Sequence, residues 1–328
     1  MGRRKHNAPR RGSMGFYPRK RKGRLLPKIR FWPSSPRAGL LGFIVYKAGM
    51  LHLIAEGDIP NTPDYGKPLM KAATVVSAPN LYVIGLRAYA NSPRGLRCVA
   101  EVWASELPKQ LTRKIRVNAQ KASSHLPSLE AHLDKISEVR ALVASFPSEA
   151  GLSQKKPFIL EVGIGGTIKE ALEFAKGLLG KSVSIDQVLK PGEYVDVIGV
   201  TKGKGVQGPV KRFGIRRKEH KARKSVRAVG SIGPIRPANV MFTVPRAGQM
   251  GFHQRTEFNK RVLLVGEAGD SNVMPPGGFF HFGLLKAKYA VIEGSLPGPP
   301  KRVLLIRKAV RMAEQPEAPK VLTIVARR

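Results

Sequence analysis

Two side chains in the last third of the chain have types and a spacing that could support acid–base chemistry. His253 and Glu257 lie four residues apart, in His253-Gln-Arg-Thr-Glu257. On a helix this spacing would place both on one face, and general acid–base catalysis needs its groups within hydrogen-bond reach. The surrounding segment is basic and rich in glycine, with no evident pocket. In such a segment His, Gln and Arg more often donate to a polyanion, so a binding role is favoured over catalysis.

Two glycine motifs resemble nucleotide-binding loops. Gly203-Lys-Gly205-Val-Gln-Gly208 satisfies G-x-G-x-x-G after a predicted strand. A dinucleotide site also needs a following helix and a later acid, whereas Pro209 and a basic run follow here. The glycines are better explained as positions where the backbone approaches a ligand closely. Gly163-Ile-Gly-Gly-Thr167 lacks the Gly-Lys-Ser/Thr ending of a P-loop, so the sequence predicts no enzyme.

The net charge indicates the class of partner. The chain has 328 residues with 58 Lys and Arg against 22 Asp and Glu, a formal net charge of +36. Self-repulsion at that charge opposes compactness and favours a strongly anionic partner, with nucleic acid first and an acidic membrane surface second. The hydrophobic fraction of 42% is enough for a core. We expect one large domain or two small ones.

Other features narrow the class of protein. No apolar run approaches the ~20 residues that span a bilayer, and the N-terminus lacks the apolar core of a signal peptide. The single cysteine, Cys98, excludes an internal disulfide framework and a cysteine metal cluster. The seven His are scattered without metal-ligand spacing. We expect a cytoplasmic protein with no metal, no cofactor and no small-molecule substrate.

The densest basic segment covers residues 202–261. It holds sixteen Lys and Arg against two acids, Glu219 and Glu257. Strand-like runs precede it at 194–200 and follow it at 261–265, so we interpret it as a long finger anchored at both ends. Its glycines, prolines and charges predict that it cannot fold without a polyanion.

Residues 1–37 form a second basic segment, which contains no acid. Twelve of its first thirty residues are Lys or Arg, interleaved with Phe16, Tyr17, Phe31 and Trp32. Aromatic and Arg side chains stack on unpaired bases while cations contact phosphates, which favours RNA contact over a flexible tail. Cations spread along extended segments favour RNA over DNA, because duplex DNA is commonly contacted from one groove-reading helix.

The rest of the sequence predicts a mostly β body with helical insertions. Short β-rich runs separated by turns occupy residues 38–201 and return over 262–328, which is typical of a barrel or sandwich. We expect helical insertions at about 104–150 and 167–190. Within the first, apolar residues of Ser128–Phe146 fall at helical spacing. In the second, Thr167 and Glu170 have the form of a capping box, and a shorter helix is expected over Ile185–Leu189.

Several motifs, in one order along the chain, carry a family resemblance. They are Arg4-Lys-His-Asn-Ala-Pro-Arg10, Gly15-Phe-Tyr-Pro-Arg-Lys-Arg21, Gly42-Phe, Lys47-Ala-Gly-Met50, Ser92-Pro-Arg-Gly-Leu-Arg97, Val200-Thr-Lys-Gly-Lys-Gly205, Gly230-Ser-Ile-Gly233, Ala247-Gly-Gln-Met-Gly-Phe-His-Gln-Arg-Thr-Glu257 and Gly277-Gly-Phe-Phe-His-Phe-Gly283. Through these motifs the chain resembles the universal large-subunit ribosomal protein three, in its archaeal and eukaryotic form. The resemblance covers essentially the whole length, and the chain looks like an archaeal member.

The resemblance implies a fold and a role. The expected fold is a six-stranded Greek-key β-barrel of the translation-protein type, with a basic N-terminal extension and an internal finger. The expected role is a structural, primary binder of large-subunit (23S-type) rRNA near its 3′ end, acting early in assembly. The finger would extend toward the peptidyl transferase centre. Expected neighbours are the fourteenth large-subunit protein and the archaeal homologue of the twenty-fourth eukaryotic one.

The finger tip, Gly233-Pro234-Ile235-Arg236-Pro237, departs from that pattern. Many relatives carry a Trp where this chain has Ile235, so Arg236 or the prolines would have to fill the space.

The predicted RNA-binding residues are cations, His and Gln of the basic segments and of one hairpin. They are Arg3, Arg4, Lys5, His6, Arg10, Arg11, Arg19, Lys20, Arg21, Lys22, Arg24, Arg94, Arg97, Lys202, Lys204, Lys211, Arg212, Arg216, Arg217, Lys218, His220, Lys221, Arg223, Lys224, Arg227, Arg236, Arg246, Gln249, His253, Gln254, Arg255, Lys260 and Arg261. Three alternatives remain. The protein would be an RNA-modifying enzyme that uses His253 and Glu257, an RNA-binding protein outside the ribosome, or a protein that binds anionic membranes or compacts DNA.

Overall fold

Strands make up most of the regular structure. The computed structural model describes residues 11–115, 135–269, 273–311 and 318–325. The strands are β1 (Gly39–Leu40), β2 (Gly42–Glu56), β3 (Pro68–Ser77), β4 (Leu81–Ser92), β5 (Gly95–Trp103), β6 (Glu138–Ser145), β7 (Phe158–Gly165), β8 (Ser182–Val183), β9 (Tyr194–Val200), β10 (Gly203–Gln207), β11 (Gly248–Gly251), β12 (Gln254–Gly266), β13 (Tyr289–Glu293), β14 (Val303–Lys308) and β15 (Val321–Val325). The described helices are α1 (Ile168–Leu178), α2 (Pro209–Phe213) and 3-10 helices at Met14–Phe16, Lys109–Arg113, Ile185–Gln187 and His220–Ser225. The predicted class, mostly β with helical additions, is confirmed.

The chain forms two compact units, each assembled from segments that are distant in sequence. Unit 1 comprises Met1–Arg24 and Val200–Gln254, and unit 2 comprises Leu25–Gly199 and Arg255–Arg328. The sequence instead suggested divisions after residues 37, 201 and 261. The structure groups residues 11–24 of the N-terminal segment with residues 200–254, and it assigns residues 25–37 to unit 2.

Unit 2 contains a seven-stranded sheet, ordered β14-β9-β12-β13-β3-β2-β15, in which β14 also pairs with β2. The additional pairing is antiparallel and runs from Val303 opposite Tyr46 to Arg307 opposite Gly42. On its other side β14 pairs with β9, from Leu304 opposite Gly199 to Lys308 opposite Val195. β14 therefore pairs with both β9 and β2, which are the first and last strands of the run β9-β12-β13-β3-β2.

A second sheet of unit 2 is ordered β1-β7-β6-β4-β5, with β8 paired to β4. One apolar cluster takes side chains from both sheets, including Val45 of β2 and Val143 of β6. Between the sheets, the hydroxyls of Tyr46 and Ser145 form a buried hydrogen bond of 2.9 Å. Burial raises the pKa of the Tyr46 phenol, which therefore stays neutral. The two sheets share one core.

The helix predicted over Ser128–Phe146 is wrong for its described part, because Glu138–Ser145 is strand β6. β6 lies between β4 and β7, so it is a central strand of its sheet. Its alternate residues enter two different apolar clusters: Val139 and Val143 belong to one and Leu142 to the other. A strand buried on both faces reads as a nearly continuous apolar run, which mimics helical spacing. Within the insertion predicted at 104–150, Lys109–Arg113 form a 3-10 helix, and residues 116–134 lie outside the described residues.

The predicted capping box of α1 is confirmed. The Thr167 hydroxyl accepts a hydrogen bond from the Glu170 N–H at 3.4 Å, and the Glu170 carboxylate accepts one from the Thr167 N–H at 3.1 Å. The pair satisfies two N–H groups that the first helical turn cannot satisfy itself. The shorter helix expected over Ile185–Leu189 is a single 3-10 turn at Ile185–Gln187.

Part of the predicted N-terminal extension belongs to the core of unit 2. Trp32 is 8% exposed, and a Cβ on Gly42 or Gly163 would lie 2.8 or 2.6 Å from its indole. Arg307 donates to the Phe31 carbonyl at 2.8 Å and to the Asp196 carboxylate at 2.7 Å. The prediction that Trp32 stacks on RNA bases is therefore wrong, because its ring is already buried against two glycines.

Candidate nucleic-acid interface

Unit 1 is built on a two-stranded antiparallel ribbon of β10 and β11. Gly203 lies opposite Gly251 and Gln207 opposite Gly248, with a register shift between Gly203 and Val206. Gly251 has φ +73°, and a Cβ there would clash with the Lys202 carbonyl oxygen. Only glycine meets both requirements without strain. Of the glycines that imitate a dinucleotide motif, Gly205 has φ +63°, so the backbone of the ribbon favours glycine there as well.

The base of the ribbon is closed by backbone hydrogen bonds. The Phe252 N–H donates to the Lys202 carbonyl at 3.2 Å, and the Thr201 N–H donates to the His253 carbonyl at 3.0 Å. The N-terminal segment joins the same base, because the Lys22 N–H donates to the Phe252 carbonyl at 2.9 Å. Residues 11–24 and the finger thus share one hydrogen-bonded root.

One aromatic ring anchors the upper part of unit 1. Phe213, at the end of α2, is 9% exposed. The Arg19 guanidinium lies 4.3 Å from its ring centroid and also donates to the Arg212 carbonyl at 3.3 Å. Gly12 lies over the same ring, since a Cβ on it would sit 3.5 Å from Phe213. The N-terminal segment therefore folds over Phe213 and holds it by cation–π and apolar contact.

Arg212 connects α2 to the returning limb of the finger. Its Nε donates to the Gln249 carbonyl at 3.0 Å, and its Nη1 donates to the Arg246 carbonyl at 3.0 Å. Burial, with a further effect of the Arg19 charge, lowers the pKa of the Arg212 guanidinium, although the nearby Tyr17 raises it. Arginine stays charged in proteins. Arg212 therefore works as an internal cross-link of unit 1.

Every residue from 230 to 242, a range that includes the tip, is exposed to solvent. Ile235 is 91% exposed and Phe242 68% exposed. Arg236 is exposed as well, so neither residue fills an apolar space within unit 1.

The electrostatics of unit 1 are those of a polycation. Its described residues, 11–24 and 200–254, include nineteen Lys and Arg and one acid, Glu219. Fifteen of the cations are exposed: Arg11, Lys20, Arg21, Arg24, Lys202, Lys204, Lys211, Arg216, Arg217, Lys221, Arg223, Lys224, Arg227, Arg236 and Arg246. Such a surface attracts phosphates without regard to base sequence.

The remaining predicted residues are placed differently. In unit 1, Arg19, Lys22, Arg212 and Lys218 are half-buried, and His220 is exposed. The Gln249 amide donates to the Met250 and Gly251 carbonyls, at 3.3 and 3.0 Å. The predicted residues Arg94, Arg97, Arg255, Lys260 and Arg261 belong to unit 2. Arg3, Arg4, Lys5, His6 and Arg10 lie outside the described residues.

Arg261 is a correction to the predicted set. Its side chain is 3% exposed and forms an ion pair with Asp58. The Arg261 partner and charge lower the pKa of the Asp58 carboxyl, against an opposing effect of burial. A buried, paired guanidinium is not available to a phosphate. Arg94 and Arg97, in contrast, are exposed around the turn between β4 and β5.

The geometry does not support a catalytic pair of His253 and Glu257. The segment from Gln254 onward is strand β12, so the helical spacing that would bring the two side chains together does not exist. The His253 ring Nδ1 lies 3.0 Å from the Lys20 carbonyl oxygen. The backbone N–H of His253 donates to the Thr201 hydroxyl at 3.2 Å. Glu257 faces Lys260 at 3.9 Å. His253 is part of the hydrogen-bonded root.

Phe213 is the important residue that sequence reasoning missed. A lone aromatic inside a basic run was the available signal, in Lys211-Arg212-Phe213-Gly214. Gly214 has φ +64° and ends α2 in the left-handed conformation that glycine favours. The pattern of one apolar residue before a glycine cap could have identified the anchor.

The described residues offer no support for two other classes of site. Among them, no group of three or more His, Cys, Asp or Glu is placed to hold a metal ion. No helix in the described ranges has the length and apolarity needed to cross a membrane.

Comparison with known proteins gives matches along nearly the whole chain. The profile of the family described as "Ribosomal protein L3" matches residues 1–325. The chain is 50% identical over 316 residues to the large ribosomal subunit protein uL3 of Pyrobaculum arsenaticum. It is 47% identical over 312 residues to the protein of the same name in Methanocaldococcus jannaschii, and 45% identical over 313 residues to that of Methanococcus vannielii. Each comparison covers 94% of this chain and 93% of the relative.

Proposed function

The chain belongs to the ribosomal protein L3 family, and from that membership we propose that it is a structural constituent of the large ribosomal subunit that binds rRNA through unit 1. Proteins of this family are structural and not enzymatic. The observation that carries the binding proposal is the set of fifteen exposed cations on a unit with one acid. Each phosphate neutralised by such a surface releases counterions, which makes binding strong and salt-dependent.

The architecture of unit 1 supports close contact with RNA backbone. The Arg19–Phe213 contact and the Arg212 hydrogen bonds hold the two limbs of the finger and the N-terminal segment together. A scaffold tied at its root presents its cations in a limited volume, which lowers the entropy lost on binding. Exposed Phe242 adds an aromatic face on which an unpaired base can stack.

We propose the finer features of the role on the same basis. The protein binds large-subunit rRNA near its 3′ end, acts early in assembly, and extends the finger, with its tip at Gly233–Pro237, toward the peptidyl transferase centre. The six-strand run of unit 2 closes into a Greek-key barrel. In the large subunit, the neighbours of the protein are the fourteenth large-subunit protein and the archaeal homologue of the twenty-fourth eukaryotic one. The exposed tip supports the proposed reach of the finger, and the additional β14–β2 pairing supports the closed barrel.

Cross-linking within assembled large subunits tests the binding proposal. With 4-thiouridine in the rRNA, irradiation should cross-link peptides of residues 11–24 and 202–246 to RNA. Sequencing the attached fragments should place them near the 3′ end. A protein that never co-sediments with large subunits, or cross-links confined to other proteins, would contradict the proposal.

A variant of the tip tests its direction. Replacing Gly233–Pro237 by five Gly or Ser residues removes Ile235 and Arg236 but leaves the ribbon and the Phe213 anchor in place. We expect assembled subunits that form peptide bonds more slowly than subunits with the natural chain. A Lys155→Gln variant, at an exposed cation of unit 2 outside the predicted RNA-binding set, should not slow peptide-bond formation. Equal rates with and without the tip would exclude a contribution to the peptidyl transferase centre.

A further inference from the structure

A surface cleft in unit 2 has features of a second binding site. Its volume is about 860 Å³. The residues around it come from strand β2, at Gly49 and Met50, and from two loops, at 275–283 and 300–301. This volume lies within the range of small-molecule sites and is large enough for a nucleotide.

The loop of the cleft buries two of its three phenylalanines and exposes the third. Phe279 is 6% exposed and packs on Gly49, where a Cβ would clash with its ring. Phe282 is 7% exposed. Phe280, between them, is 81% exposed. The burial of the flanking rings fixes the backbone that carries Phe280.

The loop backbone is tightly constrained. The Phe279 N–H donates to the Gly283 carbonyl at 2.9 Å, and the Gly283 N–H donates to the Phe279 carbonyl at 2.8 Å. His281 adopts φ +62° and Lys301 φ +68°. Left-handed residues other than glycine cost free energy and concentrate at functional sites. Two of them at one cleft, beside an exposed aromatic ring, indicate a preorganised surface.

The side chains of the cleft suit an aromatic anion. The Phe280 and His281 rings lie with centroids 3.9 Å apart. Lys301 is exposed at the cleft, and none of its described lining residues is acidic. An unpaired nucleobase stacks on exposed aromatic side chains, while nearby cations bind its phosphate. A peptide could use the apolar faces, but the one-sided charge favours an RNA partner.

We propose that this cleft binds an unpaired nucleotide of RNA, with its base on Phe280 and its phosphate near Lys301. The proposal rests on the rRNA-binding role proposed above and adds a contact in unit 2 to those of unit 1. It assigns no base identity, because stacking is tolerant of base type.

Photocross-linking of the full-length protein to a large-subunit rRNA transcript that contains 4-thiouridine tests this contact. The proteins are the natural chain, Phe280→Ala, Phe280→Tyr and, as a matched control, Met70→Ala at another exposed apolar residue, 69% exposed. Because Phe280 is exposed, thermal unfolding of Phe280→Ala should match that of the natural chain. We expect cross-links on the peptide that contains Phe280. They should fall about tenfold in Phe280→Ala, in line with the loss of one stacked base, and persist in Phe280→Tyr and Met70→Ala.

The outcomes separate this proposal from the proposed function. Cross-links in residues 202–246 without any at the Phe280 peptide would overturn the cleft proposal alone. Equal cross-linking of Phe280→Ala and the natural chain, or capture of a neighbouring protein in place of RNA by a photoreactive residue at position 280, would also overturn it. Absence of cross-links in both units would overturn both proposals.

Discussion

Unit 1 and unit 2 are stabilised in different ways. Unit 2 has a large apolar cluster that joins two sheets. In the described residues of unit 1, the buried hydrophobic residues are Val200, at its edge, and Phe213. Unit 1 relies on hydrogen bonds at its root and on guanidinium groups around one ring. Apolar burial is the main favourable term in folding, so unit 2 is expected to fold alone and unit 1 to gain stability from RNA.

Salt should reveal the largest difference. If unit 1 neutralises six to ten phosphates, rRNA affinity falls about 10³- to 10⁵-fold between 50 and 200 mM salt. A Lys204, Arg216, Arg217→Gln variant should lower the slope of log affinity against log salt by about 2 to 3. Filter binding at several salt concentrations measures both. Unfolding of unit 2 should change little over that range.

A matched variant of unit 2 sharpens the salt test. Lys155, Lys156 and Lys181 are exposed cations of unit 2 outside the predicted RNA-binding set. Their triple replacement by Gln removes the same charge. We expect a much smaller change in the salt slope than for the unit 1 variant. Equal changes would mean that net charge alone, and not unit 1, determines binding.

Breaking the buried ion pair of unit 2 should have the next largest effect. Asp196 is fully buried and accepts hydrogen bonds from Arg307 and from the Asn259 N–H. Asp196→Ala leaves a guanidinium buried without its partner, at a cost of about 3–5 kcal/mol. Urea denaturation should show this loss, and Asp196→Asn a smaller one. Unchanged stability would show that Arg307 finds another partner.

Removing the anchor of unit 1 should unfold that unit alone. Truncation of a buried Phe to Ala costs about 3 kcal/mol or more. In Phe213→Ala we expect faster amide hydrogen exchange over 203–214 and at Lys22, with strands β2 and β14 unaffected. Phe213→Leu keeps apolar volume and loses the cation–π contact, so its effect should be intermediate. Faster exchange throughout unit 2 would contradict the division into two units.

The smallest of the expected effects is a loss of unit 2 stability in acid. Glu161 accepts hydrogen bonds from Tyr89 and Arg87, and these with the charges of Arg87 and Arg140 lower the pKa of its carboxyl despite burial. A lowered folded pKa means that this stability is present above the unfolded pKa of about 4.3 and is lost as pH falls through the folded value. Glu161→Gln should cost about 1 kcal/mol at pH 7 and flatten the acid limb of a stability curve. An unchanged acid limb would assign the pH dependence to other carboxyls.

The sequence predicted those features that depend on neighbouring residues. The α1 capping box needs only Thr167 and Glu170, three positions apart, so it could be identified directly. Strand β6 could not, because its two buried faces hide the alternation that distinguishes a strand. The partnership of residues 11–24 with 200–254 was also beyond reach, since pairing over such separations leaves no local pattern.

The candidate site was predicted in charge and not in geometry. Lys204 and Arg212 are equivalent cations in the sequence, yet one is exposed and the other cross-links the finger. Arg261 looked like the end of the basic segment and is instead buried against Asp58. Charge determines the class of partner, whereas packing determines which guanidinium groups remain available. That the finger is not ordered before a polyanion binds stays a prediction.

The contact of Arg19 with Arg212 has a consequence in time. The two residues are 193 positions apart in the chain. At about 5–20 residues per second of synthesis, the N-terminal segment emerges roughly 10 to 40 s before its partner exists. During that interval the Phe213 ring on which the segment folds has not been synthesised. The cations of the segment are then accessible to other anionic polymers of the cell. Each newly made copy must pass through this exposed stage before its two halves meet.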